Sequence, residues 1–218
     1  MNMLPAATDV PPIGQAFGME SLLADLAQAR IGTTFNQYRD RGPDDVAGAG
    51  AIRVDNLRAY LAARGTAEVV ALGEAAGYQG MRWSGIAFTS ERDLARWGLP
   101  FRPTSTGRKN GWSEPSGTIV HRVLGELAAE HRVIVWNTVP THPHKPGQPL
   151  SNRRPTVGEI EAGAVYAERL LELVKPRVIV AVGRVAEQIL GSRATYVRHP
   201  ANGGATAFAD GMRSILGE

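Results

Sequence analysis

Three side chains of this 218-residue chain stand directly after short apolar runs, where an open sheet presents its chemistry. Glu74 follows Val69-Val70-Ala71-Leu72-Gly73, Asn137 follows Val133-Ile134-Val135-Trp136, and His199 follows Thr195-Tyr196-Val197-Arg198. A carboxylate can orient water or steady a developing cation. A carboxamide can pair with a heterocycle edge that offers one acceptor and one donor. An imidazole can donate to an oxygen on which negative charge builds. Together these are the parts needed to bind and hydrolyse a base-like ligand. The glycine-rich stretch after Glu74 includes Gly85-Ile86-Ala87-Phe88, and a planar ring held by backbone N–H groups could stack on Phe88. Each residue taken alone has a plainer use. A Glu at a strand exit can cap a turn or hold an ion pair, Asn137 can cap a turn before Pro140, His199 before Pro200 can be a turn, and Phe88 can be core.

The elements that must position these residues follow from periodicity and turn signals. Leu22, Leu23 and Leu26 place a helix over 19–30, with Gly32 beyond it; Leu57, Tyr60 and Leu61 place another over 55–64, stopped by Gly65. Strands are expected at 67–73, 132–137, 177–183 and 195–198, and helices at 116–130, 184–190 and 204–216. Thr156-Val157-Gly158-Glu159 is a capping box that opens a helix to Val174, ended by Lys175-Pro176. Residues 1–18 read as an irregular arm, 39–45 as a charged loop, 77–115 as a long irregular stretch, and 140–155 as a polar, Pro-rich loop. Strands alternating with helices predict an α/β fold in three αβα layers around a mainly parallel four-stranded sheet, as a single domain over 1–218. In such a sheet the strands' carboxyl ends share one edge, so Glu74, Asn137 and His199 converge there.

Composition narrows the classes. At 43% hydrophobic the chain can bury one good core. It has no Cys, which excludes disulfides, thiolate zinc and cysteine-ligated iron–sulfur clusters and suits a reducing cytosol; a cytoplasmic location is expected. No run of 18 apolar residues predicts a membrane span, and Met1-Asn2-Met3-Leu4-Pro5 does not read as a secretory signal. Net charge is +3, and of the 24 basic residues only Lys109, Lys145 and Lys175 are not arginine. Arginine suits phosphate contact and stacking, although genome composition can produce the same bias. His142 and His144 lack a second ligand pair and read as loop histidines, so no metal is expected. Trp83, Trp97 and Trp112 could stack on DNA or pack the long loop.

Taken in order, these residues make the chain resemble the uracil-DNA glycosylase superfamily from about 67 to 216. Gly73-Glu74-Ala75-Ala76-Gly77 is similar to the Gly-Glu-Ala-Pro-Gly first motif of its iron–sulfur members, Asn152-Arg153-Arg154-Pro155-Thr156 to their Asn-Arg-x-Pro-Thr segment, and His199-Pro200-Ala201 to the second catalytic motif. The resemblance implies a monofunctional hydrolase that excises uracil from DNA without a cofactor. It implies catalysis by Glu74 and His199, uracil binding by Gly73, Ala75, Phe88, Asn137 and Tyr78, and DNA contact through Arg153, Arg198, Asn202 and Gly203. DNA containing uracil is the partner it implies, for a monomer with no iron–sulfur cluster. A sibling activity on hypoxanthine or xanthine, or a silent DNA- or nucleotide-binding domain, remains open. The chain also departs from the pattern. Ala76 replaces Pro. Ala75 stands where other members carry a water-positioning Asp, which passes that role to Glu74. Gly77 holds the thymine-excluding tyrosine position, with Tyr78 one residue later. Asn202-Gly203-Gly204-Ala205 offers no bulky wedge for the emptied base stack, so another loop, around Arg108 or Trp112, must fill it or single strands are preferred.

Overall fold

The computed structural model describes residues 13–217. Four parallel strands, β1 (Val69–Ala75), β2 (Val133–Val139), β3 (Val178–Val182) and β4 (Thr195–Val197), form one sheet in the order β2-β1-β3-β4. Eight helices flank it among the described residues: α1 (Ile13–Gln28), α2 (Ala49–Ala62), α3 (Met81–Ser84), α4 (Glu91–Trp97), α5 (Pro115–Glu126), α6 (Val157–Val174), α7 (Arg184–Leu190) and α8 (Ala205–Leu216). The expected α/β class and four-strand sheet are what the chain forms.

The strand order dictates where a ligand can sit. The crossover from β1 to β2 runs one way along the sheet and that from β2 to β3 runs back past β1. Right-handed crossovers then put α5 and α6 on opposite faces. The packing agrees, since α6 lies against β2 and α1, and α5 against α8. The reversal opens a crevice at the carboxyl ends of β1 and β3. β2 is an edge strand yet buried throughout, because its Val135 N–H donates to the Tyr60 hydroxyl (2.9 Å) in place of a fifth strand. Trp136, Tyr60, Leu72 and Phe208 are among the largest fully buried side chains of the core.

Several regions differ from expectation. The arm expected over 1–18 falls partly outside the described residues, and its part from Ile13 onward is helical. β1 and β2 run two residues further than read, which puts Glu74 within β1 instead of beyond it and Asn137 two residues before the end of β2. The stretch 77–115 is not irregular surface. It holds α3 and α4, and its Trp83 and Trp112 stack on each other at 5.1 Å. The Glu91 carboxylate accepts N–H bonds from Thr104, Ser105 and Trp112. The charged loop at 39–45 likewise sends Asp45 inside, where it meets the guanidinium groups of both Arg53 and Arg82. In both places buried carboxylates satisfy backbone and guanidinium donors that have no ladder partner, a device that leaves no periodic trace in the sequence.

Candidate active site

β1 and β2 pair in a register that sets Gly73 opposite Asn137. The two lie so close that a Cβ on Gly73 would stand 2.6 Å from Asn137 Oδ1 and 2.5 Å from Phe88 Cζ, contacts that no real Cβ makes. Glycine is therefore required where the two candidate base-binding side chains meet. Phe88 adopts φ 49°, in the left-handed region that costs a bulky residue strain. Its neighbours hold it there. The Ser84 hydroxyl donates to the Thr89 carbonyl (2.6 Å), and the Thr89 hydroxyl donates to the Ala87 carbonyl (2.9 Å) beside His121 Nε2 (3.0 Å). Asn137 Nδ2 donates to Met81 Sδ at 3.2 Å, a weak acceptor. Phe88 is 5% and Asn137 3% exposed, so both form a sealed layer behind Gly73.

His199 comes from the other end of the sheet, two residues past β4. Its Nδ1 accepts the Ala201 N–H (3.1 Å), which leaves the ring proton of the neutral imidazole on Nε2. Burial, helped by the Arg198 charge, holds its pKa below the ordinary value and keeps the ring neutral. It is thus a donor by construction. The Phe88 and His199 rings lie 5.7 Å apart, and Gly183 at the end of β3 packs against the His199 Cβ.

Between these ends opens a cleft of about 400 Å³, lined among others by Glu74, Gly77, Asn152, Gly183, His199 and Asn202. The Glu74 carboxylate takes no hydrogen bond from the described residues. Desolvation raises its pKa, and the Arg154 charge opposes that rise. A carboxylate that is half-buried, unshared and facing a cleft is free to hold a water.

The expected site residues therefore divide. Glu74, Ala75, Arg153, Arg198, His199 and Asn202 line the cleft, and Gly203 lines an adjoining lobe. Gly73, Phe88 and Asn137 stand behind its wall. Tyr78 turns away: its N–H donates to Asn152 Oδ1 (3.0 Å), its carbonyl accepts the Trp83 indole N–H (2.7 Å), and its ring edge meets Trp112. Trp112, buried under Trp83 and covered by Arg108 at 3.7 Å, presents no wedge. Arg153 is a clasp. Its guanidinium pairs with Glu159 (2.6 and 2.7 Å) and also donates to the His144 carbonyl and the Thr33 hydroxyl. The Arg153 bonds hold the Glu159 pKa down to about 2. Arg154, Arg184 and Arg198 keep exposed guanidinium groups around the cleft instead.

Met81, Gly183, Arg154 and Arg184 are not among the site residues read from the sequence. Only the strand order, which inserts β3 between β1 and β4, brings Gly183 and Arg184 to the cleft. His142 is buried between the Ala76 carbonyl (Nδ1, 2.9 Å) and the Pro149 carbonyl (Nε2, 3.2 Å). It fastens the loop and ligates nothing. Among the described residues no group of three or more His, Cys, Asp or Glu could hold a metal.

Comparison with solved structures identifies the architecture: 33 chains match. One is the crystal structure of wild-type SMUG2 from Pedobacter heparinus, at TM-score 0.66 and 14% identity over 93% of this chain and 97% of that one, a likeness of fold. The family follows from sequence, since the model of the uracil DNA glycosylase superfamily matches residues 61–211, and the chain belongs to that superfamily. No curated protein matches the sequence.

Proposed function

We propose that this cleft hydrolyses the N-glycosidic bond of uracil in DNA and leaves an abasic site. The observation that carries the reading is the pairing of a free carboxylate, Glu74, with a neutral His199 whose Nε2–H is fixed as donor, across one cleft at the switch point of the sheet. As the glycosidic bond stretches, negative charge collects on uracil O2 and positive charge on the sugar. His199 Nε2–H faces the first. Glu74 orients water towards the second. Uracil reaches the sealed layer behind Gly73 by opening it, stacks on Phe88, and Asn137 exchanges its weak Met81 contact for the O4 and N3–H edge of the base. Arg154, Arg184 and Arg198 draw the phosphates to the rim, and no cofactor enters the scheme.

A second reading, wider base scope, has an observation of its own. Gly77 carries no side chain and Tyr78 turns away, so no aromatic ring narrows the cleft at that corner. One assay tests both readings: gel-resolved strand scission after alkali, on single- and double-stranded oligonucleotides carrying uracil, thymine, hypoxanthine or xanthine. Scission at uracil is expected. Scission at hypoxanthine or xanthine but not at uracil would replace the first reading with the second. Binding without scission on any substrate would mark a silent DNA-binding domain.

A further inference from the structure

The mechanism leaves unused one carboxyl group in contact with the site's main loop. Glu114, the residue before α5, directs its carboxyl under the turn that follows Glu74. A Cβ on Gly80 would lie 2.0 Å from Glu114 Oε2, and one on Gly77 would lie 3.2 Å from Oε1. Oε2 is sealed from solvent and has no hydrogen-bond partner. It shares its third neighbour with the base platform: the point where Gly117 would carry a Cβ is 2.3 Å from the Phe88 carbonyl oxygen and 3.2 Å from Glu114 Oε2. The two oxygens thus crowd the same glycine.

No cation relieves the crowding. Asp93 of α4 is the charged group that acts on Glu114; it caps α4 through Ser90 and pairs with Arg96. His121 of α5 is buried and neutral, its pKa lowered to about 4. Gln79 and Ser116, which border the lobe beside Glu114, are uncharged. Burial, with the Asp93 charge added, pushes the Glu114 pKa up to about 8. That lobe, about 490 Å³, shares Gly77, Asn152, Ala201 and Asn202 with the cleft, so the carboxyl is also next to the substrate's path.

We propose that Glu114 is a positioning residue of the site: as a neutral acid it fills the space beneath the Gly77–Gly80 turn and holds that turn in place. Ionisation places an unpaired charge beneath the turn, with its Oε2 side closed to water, and so loosens the turn. The loop that follows Glu74 is thus set by one proton. The activity part of this inference rests on the excision reading above; the stability part does not.

Glu114→Gln, neutral at every pH and nearly the same shape, tests it. Single-turnover uracil excision by the wild type should fall as pH rises past about 8, by about tenfold per unit, while the variant should match the wild type within about threefold at pH 7 and lack the fall. The stability sign is also defined. A folded-state pKa of about 8 above an ordinary 4.5 means that the folded chain holds the extra proton, so stability declines as pH rises from 4.5 to 8 and levels beyond. The variant should lose that decline and melt above the wild type at pH 8. In the wild type itself, the infrared carbonyl band of a protonated carboxyl should be present at neutral pH and vanish on titration through about 8. A variant that keeps the alkaline fall, or loses more than tenfold at pH 7, overturns the proposal, as does a wild type without the band at neutral pH. If the wild type releases no uracil at any pH, the excision reading fails, and the melting and infrared profiles decide the role of Glu114.

Discussion

The two walls of the cleft are built differently. The chemical wall, Glu74 and His199, reaches the open cleft and depends on strand ends: Glu74 lies in β1, and His199 is set by β4 and one Ala201 N–H bond. The recognition wall, Phe88 and Asn137, is sealed behind Gly73 and depends on a web of loop contacts through Ser84, Thr89, Met81 and His121. The groups proposed to move protons and orient water stand at the ends of the regular skeleton. Of the two proposed to choose the base, Asn137 is placed by its register in β2, and Phe88 by irregular packing, where small sequence changes can retune it without disturbing the sheet.

Breaking the chemical wall should have the largest effect. His199→Ala should slow single-turnover excision by about 10²–10³, the usual cost of one oxyanion donor, with DNA affinity nearly unchanged. Equal losses in rate and affinity would make His199 structural. Next comes the joint between the walls. Gly73→Ala forces Phe88 and Asn137 apart and should cost about 100-fold in rate, as a displacement of about 1 Å at a reacting centre does. A rate within a few-fold of wild type would show that the base does not lie against them.

Glu74→Gln should slow excision by about tenfold, or ~1.4 kcal/mol of lost interaction with the water and the sugar cation. It should also remove an acid limb. Burial raises the Glu74 pKa above 4.5, so the wild-type rate falls with decreasing pH through a range above that value, and the variant stays level. A variant with the same acid limb would move the water role elsewhere. The smallest effect separates two arginines. Arg198 is exposed, and Arg198→Ala should flatten the slope of log K against log[salt] for DNA by about 0.7–0.9. Arg153 is spent on Glu159, so Arg153→Ala should lower the melting temperature and leave the slope alone.

The chemical wall was legible in the sequence because each of its residues ends an apolar run, and strand ends of a parallel sheet share an edge. The capping box at Thr156 was equally plain, and its two reciprocal bonds are present. Strand order was not legible, so the places of Gly183 and Arg184 at the cleft were invisible. Nor was the packing of 77–115, where Glu91 and Asp93 sit inside and Glu114 turns one oxygen inward although charge suggests surface. Pairing with Arg96, caps on free N–H groups, and a raised pKa make each burial tolerable. Arg153 misled for the related reason that an arginine reads alike whether it meets phosphate or a neighbouring carboxylate.

In the proposed excision Asn137, beside Gly73, reads the base that Glu74 and His199 release. Asn137→Asp tests it most directly, by single-turnover release of free base from matched strands holding uracil or cytosine. The carboxamide can give its NH₂ to O4 and take N3–H from uracil. Cytosine reverses both groups, at about 1–3 kcal/mol for an unpaired buried polar group. A carboxylate keeps the shape, loses the donor that O4 needs, and accepts from the N4–H₂ of cytosine. The variant should lose most uracil release and gain weak, measurable cytosine release. Full uracil release by the variant would contradict it.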